Sequence, residues 1–111
     1  MTAALISSAA AFAAEPVSMV QNQFDQVKVF PNPWRADRNA SPLVTIDAIP
    51  TNSTVKIYTT SGHWVKTLPV NGTQALWDLT NDHGDKVASG IYMYVITANS
   101  DKKVGKIAVI R

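Results

Sequence analysis

Apolar and polar residues alternate one by one over several short stretches of this chain, and clusters of Pro, Gly, Asn, Asp and Ser separate the stretches. Val44, Ile46 and Ala48 alternate with Thr45 and Asp47, as expected for a strand that has one face on the core. No stretch after residue 20 holds an apolar 3.6-residue period long enough for a helix. The pattern predicts seven strands, at residues 27–30, 43–49, 54–59, 64–68, 74–79, 91–98 and 104–110.

Short strands separated by turns at this spacing are typical of an all-β sandwich or barrel. Alternation predicts an apolar layer shared by two sheets, made of Val27, Val29, Val44, Ile46, Ala48, Val55, Ile57, Ala75, Trp77 and Leu79. Gly62 supplies the positive φ that a tight hairpin after Ser61 requires. Pro31 and Pro33 end the first strand because neither can donate to a ladder.

The sequence ends on the last predicted strand, which a short turn joins to the strand before it. Chain ends usually fray unless contacts tie them down, so an ordered strand at this position would offer a defined feature to a partner. Lys103, Lys106 and Arg111 lie along it. We therefore take these three cations as candidate residues for partner recognition.

Composition limits the class of protein. The 111 residues are 46% hydrophobic and 16% charged, as in one small globular domain. The net charge of +2 comes from 10 basic and 8 acidic residues spread along the chain, so we expect no nucleic-acid partner, which would need clustered Lys and Arg. The absence of cysteine excludes disulfides, zinc–thiolate sites and thiol nucleophiles.

The N-terminal segment is apolar and rich in small residues. Its Ala-x-Ala spacing predicts a signal peptide at 1–14, cleaved near Ala13 or Ala14, followed by a linker at 15–26 and a domain at 27–111. No Lys or Arg precedes Lys28, so an Ala-rich helix or linker behind an upstream domain, in a longer protein, stays an alternative. The segment is shorter than the ~20 apolar residues of a transmembrane span, and none is expected.

Four segments of the sequence together resemble two related groups of Ig-like domains. They are VFPNPWR at 29–35, VKIYTTSG at 55–62 with VKTL at 65–68, a stretch at 77–92, and GKIAVIR at 105–111. Their order and spacing resemble the Ig-like domain named for the flagellar hook-capping protein FlgD, and the C-terminal sorting domain of type IX secretion cargo. The motif positions are Pro31, Asn32, Pro33, Gly62, Trp77, Asn81, Gly84, Gly90 and Tyr92.

The resemblance implies a seven-stranded Ig-like antiparallel β-sandwich at the end of exported or surface proteins, without catalytic activity of its own. It implies that the protein is exported to the periplasm, cell surface or medium. It also implies that its partner is secretion or cell-envelope machinery, or another β-domain protein.

The three tryptophans have different expected roles. Trp77 is expected in the core because its indole is the largest apolar surface available to a thin sandwich. Trp34 is expected to cover one end of the core, with ligand contact as the alternative. Trp64 is expected to share a hairpin face with Lys66 and to pack against a neighbouring strand; the alternative is exposure beside Tyr58, where aromatic rings could contact a sugar or a protein.

The sequence offers little for catalysis or metal binding. His63 and His83 lie in predicted turns without the further ligands that zinc needs. The loop 78–85 has oxygen ligands and a glycine but no bidentate Glu, so turn chemistry explains it better than calcium. Ser61, Ser89 and Ser100 also lie in turn-like segments without a nucleophile elbow. We therefore expect neither an enzyme nor a cofactor.

Three functional classes remain. The first is a non-catalytic module of an exported bacterial protein that acts in secretion sorting, surface attachment or assembly through its C-terminal strands. The second is a secreted carbohydrate- or protein-binding module that uses Trp64 and Tyr58. The third is a structural cap or subunit that donates an edge strand to another sheet.

Overall fold

The computed structural model of the protein describes residues 23–111, which form two β-sheets that share one core. The predicted signal peptide and residues 15–22 of the predicted linker lie outside the described residues. The strands are β1 (Lys28–Phe30), β2 (Trp34–Arg35), β3 (Val44–Asp47), β4 (Thr54–Thr59), β5 (Trp64–Thr67), β6 (Val70–Asn71), β7 (Gln74–Trp77), β8 (Gly90–Ala98) and β9 (Asp101–Ile110). The four-stranded sheet has the order β1-β3-β7-β6, and the five-stranded sheet has the order β2-β9-β8-β4-β5.

The prediction of an all-β antiparallel sandwich is confirmed, and every predicted strand forms. Two further strands, β2 and β6, have two residues each, too few to show alternation in the sequence. The strand β2 pairs with β9 in parallel, whereas the other strand pairs of the described residues are antiparallel.

Two predicted strands end earlier than their apolar pattern suggests. The strand β3 stops at Asp47, and Ala48 takes a φ of 59° while its N–H donates to Asp47 Oδ1 at 2.8 Å. This left-handed residue breaks the alternation, so Ile49 fills the core position that we predicted for Ala48. Leu79 is fully buried as predicted, but it follows the end of β7 with a φ of 63°.

The core lies between the two sheets. Its largest fully buried side chain is Trp77, whose ring meets Tyr92 edge to face at a centroid distance of 5.4 Å. Trp77 Nε1 donates to Thr80 O at 2.9 Å, which satisfies the buried indole N–H. Phe24, from the segment that we predicted as a linker, is 5% exposed and packs with the same core.

The longest strand pair is β8 with β9, where Tyr94 lies opposite Gly105. The Tyr94 ring is buried and lies over the Gly105 backbone, in the space that a Cβ would take. A glycine in a strand interior usually weakens it, so here the glycine makes room for a ring that the core needs.

Candidate functional site

The candidate residues on β9 begin with Arg111, which follows the strand. Its Nε donates to Val87 O, its Nη2 donates to Leu79 O at 3.3 Å, and its backbone N–H donates to Ser89 Oγ at 2.9 Å. The guanidinium carbon lies 5.5 Å from the centroid of the Trp34 ring. Arg111 therefore ties the end of β9 to the loop between β7 and β8.

The other two candidate cations, Lys103 and Lys106, lie on different faces of the sheet. Ile107 and Val109 are buried, so odd-numbered residues of β9 face the core and even-numbered residues face away. Lys106 is exposed on the outer face. Lys103 has the inward parity but lies at the end of the sandwich, where it lines a surface pocket of about 260 Å³ with Phe24 and other residues. The fold thus does not bring the three cations together.

Asn32 completes the outer edge of β9. Its Nδ2 donates to Lys106 O at 2.9 Å, and its Oδ1 accepts from Ala108 N–H at 3.1 Å, as a neighbouring strand would do. The Phe30-Pro31 and Asn32-Pro33 bonds that surround it are both cis. From the sequence, Pro31 and Pro33 were expected only to end the first strand, because no local signal could show that Asn32 has a partner more than 70 positions away.

The loop after β7 is organised by Asn81. Its Oδ1 accepts the N–H groups of His83 at 2.9 Å and Asp85 at 3.0 Å, and Gly84 takes a φ of 86°. The carboxamide and the glycine therefore shape a compact turn, which is a structural use of these two motif residues. Among residues 23–111, no group of three His, Cys, Asp or Glu side chains lies close enough to hold a metal ion.

Gly90 and Tyr92 lie where the loop between β7 and β8 enters β8. Tyr92 Oη donates to Ala88 O at 2.6 Å, and the ring packs on Trp77. Burial raises the pKa of the Tyr92 hydroxyl, and the nearby Arg111 acts in the opposite direction. The tyrosine thus links the loop to the core.

The hairpin between β4 and β5 brings a serine and a histidine together. Gly62 has a φ of 93°, as predicted for this turn, and Ser61 Oγ lies 2.9 Å from His63 Nδ1. Thr59 Oγ1 accepts the His63 N–H at 3.0 Å, so these side chains form a turn network. Nucleophilic catalysis also needs a group that orients the histidine, and the described residues give its ring no carboxylate partner.

Trp64 and Tyr58 lie side by side on the outer face of the five-stranded sheet. They are opposite each other in register, and Trp64 is 48% exposed rather than buried against a neighbouring strand. The prediction that Lys66 shares this face was wrong. The register shifts at Ile57, where an extra residue on β5 reverses the alternation, and Lys66 Nζ instead donates to Asp78 Oδ1 at 3.1 Å and Thr80 Oγ1 at 2.9 Å.

The contacts of Asp78 shift its titration. The hydrogen bond from Thr80 is the largest cause that lowers the pKa of the Asp78 carboxyl, and Lys66 adds to it, whereas partial burial acts against both.

Trp34 is 4% exposed and donates its Nε1–H to Ser41 O at 2.9 Å, which confirms that it covers one end of the core. In the described part of the chain, no helix is long and apolar enough to cross a membrane.

Solved structures similar to this chain include two proteins of one bacterium. One is PorZ from Porphyromonas gingivalis, described as an essential bacterial surface component of the type-IX secretion system. It is 31% identical with a TM-score of 0.69, over 80% of this chain and 12% of that one. The other is dimeric latent PorU from the same organism, which is 28% identical with a TM-score of 0.55, over 76% of this chain and 9% of that one.

The chain therefore corresponds to a small part of either protein. Among curated proteins, none matches this sequence. Residues 28–110 match the family described as the secretion system C-terminal sorting domain, and this range runs from the first residue of β1 to the last residue of β9. The chain belongs to the secretion system C-terminal sorting domain family.

Proposed function

We propose that residues 23–111 form a non-catalytic module that directs an exported bacterial protein to the type IX secretion machinery and takes part in its attachment to the surface. The observation that carries this proposal is the match of residues 28–110 to the sorting-domain family. The similarity to part of PorZ, a surface component of the type-IX secretion system, supports it. In this proposal the signal peptide predicted at 1–14 brings the protein to the periplasm first.

The roles of the motif residues support a module without chemistry of its own. Asn32, Asn81 and Tyr92 use their polar atoms to hold the backbone of the domain together. Catalytic groups, by contrast, direct polar atoms at a space where substrate can bind. The module would therefore act through its surface and its folded state.

We further propose that β9 contributes to partner recognition in two ways. Lys106 presents its charge on the outer face and Lys103 at the end of the sandwich, where each can meet a partner. Arg111 acts indirectly, because its guanidinium is engaged with Val87 O, Leu79 O and the Trp34 ring. It keeps β9 in place while the two lysines meet the partner.

A reporter fusion tests the sorting function. A signal peptide and a fluorescent reporter are placed ahead of residues 15–111, which contain every described strand, in a host that has the type IX machinery. We expect the reporter at the cell surface or in the medium, and in the periplasm when the machinery is disrupted or the domain is omitted. A fusion that stays in the periplasm with the machinery intact would contradict the proposal.

Glycan binding is a second candidate function, because Trp64 is 48% exposed beside Tyr58. An exposed aromatic pair on a sheet offers a flat apolar surface on which a sugar ring can stack. The test is a glycan array with the wild type, Trp64→Ala and the control Leu76→Ala, whose side chain is exposed on the other sheet. Binding that Trp64→Ala abolishes and Leu76→Ala preserves would support it, and binding equal in all three would reject it.

A further inference from the structure

The outer face of the five-stranded sheet combines exposed apolar side chains with lysines. We call the outward-facing residues of β4, β5, β8 and β9 the lysine-rimmed face. Its apolar members include Trp64 and Val104, which are 48% and 58% exposed. Its charged members are Lys56, Lys102 and Lys106, and no outward-facing position of these four strands holds Asp or Glu.

The apolar residues of this face are continuous across the sheet. The register places Trp64 opposite Tyr58, Tyr58 opposite Met93, and Met93 opposite Lys106. The next row joins Val95 to Val104. A strand spacing of about 4.8 Å and a rise of about 3.3 Å per residue give the face roughly 15 by 20 Å. Contiguous apolar patches of a few hundred Å² on a monomer often mark interaction sites.

The charges of the face are not compensated within the domain. Lys56, Lys102 and Lys106 form no ion pair with a carboxylate within residues 23–111, whereas Arg35 pairs with Asp37 and Lys66 pairs with Asp78. On the other sheet, by contrast, Lys28 lies opposite Asp47. Two copies of the lysine-rimmed face in contact would place lysines against lysines, which is unfavourable. The charge pattern therefore favours a different molecule that carries carboxylates.

We propose that the lysine-rimmed face docks a protein whose contact surface has apolar side chains at its centre and Asp or Glu around them. This inference rests on the proposed function, in which the occupant belongs to the secretion machinery. Sugar stacking would use only the neighbouring rings of Trp64 and Tyr58, whereas Val104 lies three strands away from Trp64, at about 14 Å. A protein surface is wide enough to cover both. The area fits a transient contact that buries less than about 1,200 Å² in total.

Charge reversal on the reporter fusion described above tests the charged part of the proposal. The test variant is Lys56→Glu with Lys106→Glu, and neither lysine makes a side-chain hydrogen bond or ion pair within the described residues. The matched control, Arg38→Glu with Lys86→Glu, changes the net charge equally on exposed loops. We expect the exported fraction to fall roughly tenfold in the test variant, equivalent to about 1.4 kcal/mol of binding, and to be unchanged in the control.

Photo-crosslinking tests the occupant. A benzophenone amino acid replaces Val104, or Leu76 on the other sheet as the control, in the same fusion in living cells. We expect an adduct with one protein, identified by mass spectrometry, from position 104 and not from position 76. The adduct should disappear when Lys56→Glu and Lys106→Glu are added, and thermal unfolding of each purified variant shows whether it is folded.

The outcomes separate this inference from the proposed function. If the unmodified fusion stays in the periplasm, both fail. If that fusion is exported and the lysine variant is exported equally, the sorting function stands and the docking face is rejected. A position-104 adduct with lipid, with glycan or with a second copy of this chain would also overturn the proposal, because the occupant would not be a carboxylate-bearing partner protein.

Discussion

Replacing Gly105 with alanine tests how the β8–β9 pair is built. A Cβ on Gly105 would meet Cζ, Oη and Cε2 of the Tyr94 ring well inside 3.0 Å, a separation that real Cβ atoms essentially never show. The Tyr94 ring is 7% exposed and has core neighbours, so it cannot move aside freely. Overpacking of this kind costs about 1–3 kcal/mol. Replacing a strand glycine with alanine otherwise raises the free energy of unfolding by about 0.5–1 kcal/mol. We therefore expect Gly105→Ala to lower it by roughly 1–2 kcal/mol in total.

The measurement is urea unfolding followed by tryptophan fluorescence and circular dichroism. For a domain of this size, each kcal/mol lost from the free energy of unfolding also lowers the melting temperature by about 4–8 °C. Gly90→Ala is the matched control, because its Cβ would meet Tyr92 only at an ordinary 3.9 Å. In a double-mutant cycle, Tyr94→Leu should make Gly105→Ala nearly neutral, since the ring that it strikes is gone. A Gly105→Ala variant as stable as the wild type would refute the reasoning.

Three further predictions concern single side chains. Arg111→Ala should lower the free energy of unfolding by about 2 kcal/mol, since two side-chain hydrogen bonds and the contact with Trp34 are lost, whereas Lys86→Ala should change it little in the same urea titration. Asn32→Ala should speed amide exchange at Ala108, measured by NMR, because its acceptor is removed; unchanged exchange would argue against this contact. Burial raises the pKa of the Tyr94 hydroxyl above its ordinary 10.0, so stability is retained below pH 10 and lost as pH rises further, when the unfolded tyrosine ionises first. When the free energy of unfolding is measured at increasing alkaline pH, it should fall less for Tyr94→Phe than for the wild type.

The sequence was sufficient for the strands that are long enough to alternate. The strand β4 was predicted with its observed bounds, and Val55 and Ile57 are buried as the alternation requires. Trp77 was predicted in the core because its indole is the largest apolar surface that a thin sandwich can bury, and it is fully buried. These features depend on neighbours one or two residues apart, and such neighbours are visible in the sequence itself.

Departures from alternation were not predictable in the same way. The register shift at Ile57 separates Lys66 from Trp64, although simple alternation along β5 places both residues on one face. The early end of β3 similarly replaces Ala48 with Ile49 in the core. In both places one residue interrupts the alternation, so the residues after it face the opposite side from the one that the pattern predicts.

The family motifs show the same division for the candidate site. Order and spacing identified the sorting-domain family, which the match of residues 28–110 confirms. Gly62 was correctly placed in a hairpin because its need for a positive φ is local. The uses of Asn32 and Arg111 were missed, because their partners are 76 and up to 32 positions away along the chain.

By itself, then, the sequence determined the strand type, the main turns, the central core residue and the family. Only the tertiary structure decided that Lys103, Lys106 and Arg111 have different surroundings, and that the outer face of the five-stranded sheet joins apolar side chains to lysines without carboxylates. The physical reason is that local periodicity fixes which side of a strand a residue faces. Strand order and register, which depend on contacts between distant segments, fix what lies beside it.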